Sequence, residues 1–413
     1  MNKFADRIKV IPNGSVTSPA GFRACGVTAG FKRSGAPDMA LLVSDHPAHF
    51  AAAFTSCTFA AAPVLIDRER ARTESRLRAV IINSGNANAC TGEPGLRNAE
   101  TTCSMVAEKL GVPPRQVMAS STGRIGTQMP METVARGIEL AVPALNADGG
   151  LAAAEAIMTT DTTRKSVARA LSIAGRTVTI GAMTKGSGMI DPKMRTVPHA
   201  TMLCYITTDA AADNALLNDL LARGIEQSFN RITVDGDMST NDTTLLLANG
   251  ASGVTIAAGT PEAELFYAAL EEIMQDLARQ MVMDGEGATK FVTVLVQNAP
   301  DEAAAKLCAE AIANSLLCKT AWFGCDPNWG RIVAALGYST VPFDPDKVDV
   351  FYDSFPVVKQ GGDAGTAEKV LAEVLKKREF TVTVDLNAGT EAYWVWTCDI
   401  SYEYVKINAE YHT

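Results

Sequence analysis

The apolar residues of this chain come in packets of strand length, separated by loops rich in glycine, serine and threonine. DMALLV at 38–43 and RAVII at 78–82 read as short buried strands, TVTIG at 177–181 and MLCYITTDA at 202–210 as two more, and FVTVLV at 291–296 as another. Segments with helical spacing lie between them. Ala99, Cys103, Val106, Ala107 and Leu110 predict a helix over 97–110, and the stretch from Met131 to Leu145 is amphipathic. Phe266, Leu270, Ile273, Leu277 and Met281 share one face of a long helix over 261–281, which the glycines of DGEG at 284–287 bring to an end. Each element has an apolar face to bury, and strands alternating with helices bury theirs in stacked layers. The expected fold class is therefore α/β.

A chain of 413 residues exceeds the size of one ordinary core. The DGEG segment marks the expected division, with a main α/β region over 1–285 and a smaller α/β domain over 286–413. In the second region an alanine-rich helix runs to about Leu317, and Val370, Leu371, Val374 and Leu375 mark another over 366–377. Phe380, Val382, Val384 and Leu386 alternate with Thr381, Thr383 and Asp385, the pattern of a strand with one buried face. Tyr393–Thr397 is a second such strand.

Charge narrows the partners. With 46 acidic and 37 basic side chains, the net charge of −9 suits no polyanion, and no Lys/Arg-rich stretch interleaves with aromatics, so nucleic acid is not an expected partner. MNKFADRIKV lacks the apolar core of a signal peptide, and no run reaches the roughly 18 apolar residues of a membrane span. A cytoplasmic protein without a membrane partner is expected. The nine cysteines contain no CxxC pair, and Cys25, Cys103, Cys308 and Cys398 read as small buried hydrophobes.

The candidate chemistry is reached by elimination. The four histidines are His46, His49, His199 and His412, with no HExxH and no Cys/His cluster, so no metal and no cofactor are expected. His46 and His49 lie in a proline-containing turn. GxSxG, GxGxxG and GxxxxGK[ST] are absent. Asp235, Asp237 and Asp242 have no EF-hand spacing and read as capping and turn-making residues. Cys90 follows GNANA with no local base and reads as part of the loop.

What remains is threonine, serine and glycine in separated loops, among them NSGNANACTG at 83–92 and ASSTGRIG at 119–126, together with one lysine and one glutamate. A threonine hydroxyl is a feeble nucleophile unless it opens a chain. Its own α-amine, with a reference pKa of about 7.7, can then take the proton from Oγ. Two readings of Thr201 stay open on the residues alone: an ordinary β-branched strand residue, or a nucleophile freed by cleavage after Ala200.

At this point the sequence resembles the ornithine acetyltransferases, the bifunctional glutamate N-acetyltransferases of arginine biosynthesis. The likeness runs from about Gly14 to Thr413 through GFRACGVTAGFKRSG at 21–35, NSGNANACTG at 83–92, STGRIG at 121–126, MTTDTTRK at 158–165, KGSGMIDP at 185–192 and ATML at 200–203. It continues through SFNRITVDGDMSTNDT at 228–243, DGEGATK at 284–290, DPNWGR at 326–331, GYSTVPFDP at 337–345 and INAEY at 407–411.

The resemblance implies a large layered α/β N-terminal region related to self-processing aminopeptidases, and a smaller C-terminal domain. It implies cleavage between Ala200 and Thr201 and an α2β2 assembly of the cut chains. The reaction implied moves acetyl from N2-acetyl-L-ornithine to Thr201 and then to L-glutamate, with acetyl-CoA as a second donor in some members. Thr122 and Gly123 match the oxyanion pair. Thr159, Lys185, Thr201, Glu286, Asn408 and Thr413 match the substrate-binding positions, although Thr159 and Thr160 are adjacent and either could face the ligand. A lysine and a glutamate are natural partners for the carboxylate and ammonium of an amino acid.

One departure stands out. The stretch from Lys185 to Thr201 is longer than in the family, with RTVPH at 195–199 as the excess, and we expect it to bulge outward. The rival readings are a self-processed N-terminal-threonine aminopeptidase or amidase, in which water takes the acyl group, and a non-catalytic assembly subunit.

Overall fold

The structure, a computed structural model, describes residues 4–193 and 202–410. The chain divides into two compact units. One holds the chain before Arg231 together with Met238–Ala278, and the other holds Arg231–Asp237 with the chain from Arg279 onward. The division between Ala278 and Arg279 falls within the helix Pro261–Met283. The sequence places it at 285/286, just past the helix end.

Among the described residues the first unit is built on a nine-stranded sheet. Its order is Ile8–Val10, Lys165–Ile173, Arg176–Lys185, Leu203–Thr208, Thr243–Ala248, Met39–Phe54, Leu77–Asn86 and Val117–Arg124, with Phe22–Val27 paired to Met39–Phe54 off this path. The long strand Met39–Phe54 unites the sheet. Its first residues pair with Phe22–Val27 and Leu77–Asn86, and His49–Phe54 pair with Thr243–Ala248 after a register shift between Val43 and Ala48. The expected strand at 38–43 is only its beginning. His46 and His49 lie inside this strand and not in a turn. Pro47 between them has no N–H for the ladder, and it falls where the ladder is irregular.

The short apolar runs are explained by burial on both faces. Leu41, Val43, Ala79 and Ile81 join Ala99, Cys103, Val106 and Ala107 of the helix Gly92–Leu110 in one core. The intervening Leu42, Val80 and Ile82 join Ala153, Ala154, Met183 and Leu245 in another. Alternate residues of a strand point to opposite sides, so a strand covered by a helix on one side and largely by other strands on the other loses its polar phase.

The second unit carries a six-stranded sheet in the order Gly362–Asp363, Phe355–Lys359, Asp349–Tyr352, Glu379–Asp385, Phe291–Ala299 and Glu391–Cys398. Phe380, Val382 and Val384 are buried, as their alternation predicts. The single alanine-rich helix expected up to Leu317 is two helices, Glu302–Ala313 and Leu316–Phe323. Ser315 breaks the run because its hydroxyl accepts from the Cys318 N–H at 3.3 Å and caps a new start. Cys25, Cys103, Cys308 and Cys398 are buried free thiols. No helix among the described residues is long and apolar enough to cross a membrane.

Candidate active site

The first unit gathers three of the expected site residues. Lys185 closes the strand Arg176–Lys185 and is the antiparallel partner of Leu203, at the head of Leu203–Thr208. Its side chain is 10% exposed, and its Nζ donates to Thr159 Oγ1 at 2.8 Å and to Thr122 Oγ1 at 3.5 Å. Of the two adjacent threonines, Thr159 therefore meets the lysine, while Thr160 pairs with the Ser187 hydroxyl at 2.8 Å.

A buried carboxylate lies beneath them. Asp161 accepts from Lys165 Nζ at 2.7 Å and from the Gly186 N–H at 2.7 Å through Oδ1, and from the Thr159 N–H at 3.0 Å through Oδ2. The same Oδ2 is 4.0 Å from Lys185 Nζ. Burial alone would raise its pKa, yet the Lys185 and Lys165 ammonium groups and the backbone donor hold it well below the usual carboxylate range. Asp161 and Lys165 belong to the MTTDTTRK motif, but the sequence alone points to no role for either. An Asp and a Lys four apart carry no sign in the sequence that both will be sealed from solvent.

Thr122 and Gly123 stand on the strand Val117–Arg124, where the sequence predicts a loop over 119–126. Serine, threonine and glycine suggested turns, but parallel pairing with Leu77–Asn86 gives their backbone groups ladder partners. Gly123 has φ +127° and pairs with Gly85. The Ser121 hydroxyl donates to Asn83 Oδ1 at 2.6 Å. Asn241, a buried residue the sequence reading passed over, donates to the carbonyls of Ala87 at 2.6 Å and Ser121 at 2.8 Å, and so ties the NSGNANACTG segment to this strand.

Asp235 and Asp242 behave differently. Asp235 Oδ1 accepts from the Asp237 N–H at 3.2 Å, a turn contact as expected. Asp242 is no cap: its side chain is buried, with Oδ2 lacking a hydrogen-bond partner. Burial pushes its pKa well above the ordinary range, and Ser239, Lys185 and Thr55 pull it down without offsetting that. As Asp161 does for its segment, a carboxylate grips backbone N–H groups in the GFRACGVTAGFKRSG segment. The buried Asp38 carboxylate accepts the N–H groups of Ala29, Gly30, Phe31 and Lys32 at 2.6 to 3.0 Å. Cys90 is exposed at φ +55°.

Glu286 and Asn408 belong to the second unit. Asn408 Nδ2 donates to Glu286 Oε2 at 2.7 Å, and the Glu286 residue is 7% exposed. Gly287 follows at φ +68°, and its carbonyl accepts from the Ser401 hydroxyl at 2.7 Å, which ties the loop to the start of the helix Tyr402–Glu410. Ala200, Thr201, Thr413 and the 195–199 excess lie outside the described residues. Among the described residues no group of three or more His, Cys, Asp or Glu side chains could hold a metal ion.

The chain matches the model of the ArgJ family over residues 23–413. It is 47% identical over 408 residues to the arginine biosynthesis bifunctional protein ArgJ of Caldanaerobacter subterraneus subsp. tengcongensis, covering 98% of this chain and 100% of that protein. It is 49% identical over 395 residues to the protein of the same name from Geobacter sulfurreducens, covering 95% and 99%. Among solved structures it is similar to the ornithine acetyltransferase complexed with ornithine from Mycobacterium tuberculosis. The identity there is 41% and the TM-score 0.42, over 45% of this chain and 99% of that chain.

Proposed function

The chain belongs to the ArgJ family, and from that premise we propose that it transfers acetyl from N2-acetyl-L-ornithine to L-glutamate through an acetyl-threonine at Thr201. The observation that carries the reading is the meeting of Lys185, Thr159 and Thr122 at the end of a strand whose register partner, Leu203, stands two residues after Thr201 in the sequence.

In this reading the Thr201 hydroxyl first attacks the Ala200 carbonyl. The peptide bond becomes an ester, and water hydrolyses it to leave Thr201 with a free α-amine. That amine then serves as base for its own hydroxyl. The hydroxyl attacks the acetyl carbon of acetylornithine, and Thr122 and Gly123 donate to the oxygen that gains charge. Collapse expels ornithine, its α-nitrogen taking the proton, and leaves acetyl on Oγ. The neutral amine of glutamate attacks that ester, passes through the same oxyanion site, and restores the threonine. Lys185 pairs with the carboxylate of the bound amino acid, and Glu286 with its ammonium, each offsetting the cost of drawing a charge from water. Asn408, which bonds Glu286 and so fixes its carboxylate, and Thr413 complete the substrate contacts.

Acetyl-CoA as a second donor, an α2β2 assembly of the cut chains and a cytoplasmic location are finer parts of the same proposal, supported by membership of a biosynthetic family. Denaturing mass spectrometry tests the cleavage and the acetyl transfer. Pieces spanning 1–200 and 201–413, a gain of one acetyl group on the second piece with acetylornithine, and its loss on adding glutamate are the expected results. An unbroken chain removes the cleavage step. Hydrolysis of amides without glutamate would instead favour an aminopeptidase or amidase.

A further inference from the structure

We propose that Asp161 is a positioning residue of this site, holding Lys185 and Thr159 in place for the amino-acid ligand, with buried Lys165 as its counter-charge. The proposal rests on the acetyl-transfer reading and adds to it a group that does not itself touch substrate.

The geometry is specific. One carboxylate joins two stretches of chain that are remote in sequence, the MTTDTTRK segment and the residue that follows the strand Arg176–Lys185. Oδ2 takes the Thr159 N–H at 3.0 Å, and Oδ1 takes the Gly186 N–H at 2.7 Å. The two backbone groups it grips thus belong to one proposed ligand-binding residue and to the neighbour of the other. Lys165 is fully enclosed, at 0% side-chain exposure, whereas Lys185 keeps 10%. The enclosed ammonium sits 2.7 Å from Oδ1 and the accessible one 4.0 Å from Oδ2, so the two cations share one carboxylate unequally.

A purely structural ion pair needs neither feature. Buried pairs contribute little net stability against apolar residues of the same volume, so stability alone is a weak reason to keep one. The unequal sharing has a use. Lys165 engages Asp161 closely at 2.7 Å, and the carboxylate still faces Lys185 at 4.0 Å, where it favours the ammonium form while Nζ meets Thr159. Two further titratable groups face this cluster. Lys32, on the segment gripped by Asp38, feels both Asp161 and Lys185, and the buried Asp242 acts on Lys185.

Substituting either end of the pair should therefore move ligand binding in opposite directions along the pH axis. Asp161→Asn removes the carboxylate and sets an amide N–H₂ against a backbone donor or an ammonium. Lys185 is then easier to deprotonate. Lys165→Gln removes the competing cation, leaves the carboxylate to Lys185, and makes it harder to deprotonate.

The test is calorimetric titration of the full-length protein, processed as purified, with ornithine from pH 6 to 10, alongside melting temperatures. The pH values here are about the range over which amines titrate. Ornithine's own amines titrate identically in every arm. Asp161→Asn is expected to weaken binding at pH 7 by about tenfold or more, and its alkaline loss of binding to begin at lower pH than in the unaltered protein. Lys165→Gln is expected to shift that loss to higher pH. Variants that bind with the unaltered pH profile overturn the role of Asp161, while the acetyl-transfer reading survives on its mass-spectrometric test. An unaltered protein that binds no ornithine overturns both. If Asp161→Asn does not fold, the upward shift in Lys165→Gln decides alone.

Discussion

A Cβ on Gly123 would stand 2.4 Å from the carbonyl carbon of Gly85, closer than any side chain tolerates. The two glycines are register partners on the strands Val117–Arg124 and Leu77–Asn86. Their approach brings the proposed oxyanion residues against the NSGNANACTG segment.

Gly123→Ala should therefore fail twice. The new methyl also meets the Asn86 nitrogen at 2.7 Å, and φ +127° is a conformation an alanine resists. Backbone atoms cannot yield as a flexible side chain can. A loss of about 1–3 kcal/mol of stability is expected, with acetyl transfer reduced far beyond what the melting shift explains. Thermal denaturation and the acetyl gain on the 201–413 piece check it; a variant of normal stability and rate would count against the geometry.

Thr122→Val keeps the β-branched shape and deletes the hydroxyl that accepts from Lys185. If Thr122 helps to stabilise the oxyanion, acetyl transfer should fall by about 10²–10³-fold. The half-exposed position leaves the melting temperature nearly unchanged. Steady-state kinetics with acetylornithine and glutamate provide the measurement, and a rate within threefold of the unaltered protein (roughly the scatter of context effects) would remove Thr122 from that role.

Asp242 sets a pH dependence of defined sign. Burial raises its pKa well above the ordinary value, with only partial compensation from Ser239, Lys185 and Thr55. The folded protein then retains a proton that the unfolded chain releases near pH ~3.9. This contribution to stability is complete below that pH and declines as pH rises toward the folded value. Asp242→Asn abolishes the decline. The variant's melting temperature, relative to the unaltered protein, should climb as the pH rises above about 4. A flat difference would mean that Asp242 is ionised in the folded state.

Glu286→Gln isolates a charge. The amide oxygen can still accept from Asn408 Nδ2, so the local bond at 2.7 Å has a replacement. Ornithine, which carries ammonium groups, should nonetheless bind about 10- to 100-fold more weakly, the scale of one hydrogen bond to a charged group. Calorimetry at neutral pH decides it, and unchanged affinity would assign Glu286 to holding the Tyr402–Glu410 helix alone.

What the sequence made legible followed from burial. DMALLV and RAVII announce buried strands, and Phe266, Leu270, Ile273, Leu277 and Met281 announce a helix with one apolar face; their apolar residues are buried in the structure. Local chemistry misled where pairing overrode it. STGRIG reads as a loop until the parallel partner Leu77–Asn86 is known, and the alanine-rich helix hides the Ser315 cap that divides it. Lys185 and Thr159 emerged from resemblance, not from any spacing. Asp161 and Lys165 were overlooked because their meaning depends on Gly186, 25 residues on, and on enclosure that no linear pattern records.

The strand order has a consequence for the lifetime of the cut protein. Leu203–Thr208 and Thr243–Ala248 come after the cleavage point, yet they lie between Arg176–Lys185 on one side and Met39–Phe54 on the other, both of which come before it. Scission at 200/201 would leave each piece laced into the other by two full ladders, so the halves stay together without a covalent link. Once melted, however, they would have to find each other by diffusion and rebuild an interior pair of strands. Folding that was unimolecular for the newborn chain becomes a dilution-sensitive encounter, and the mature enzyme would owe its persistence to slow unfolding rather than to the ability to refold.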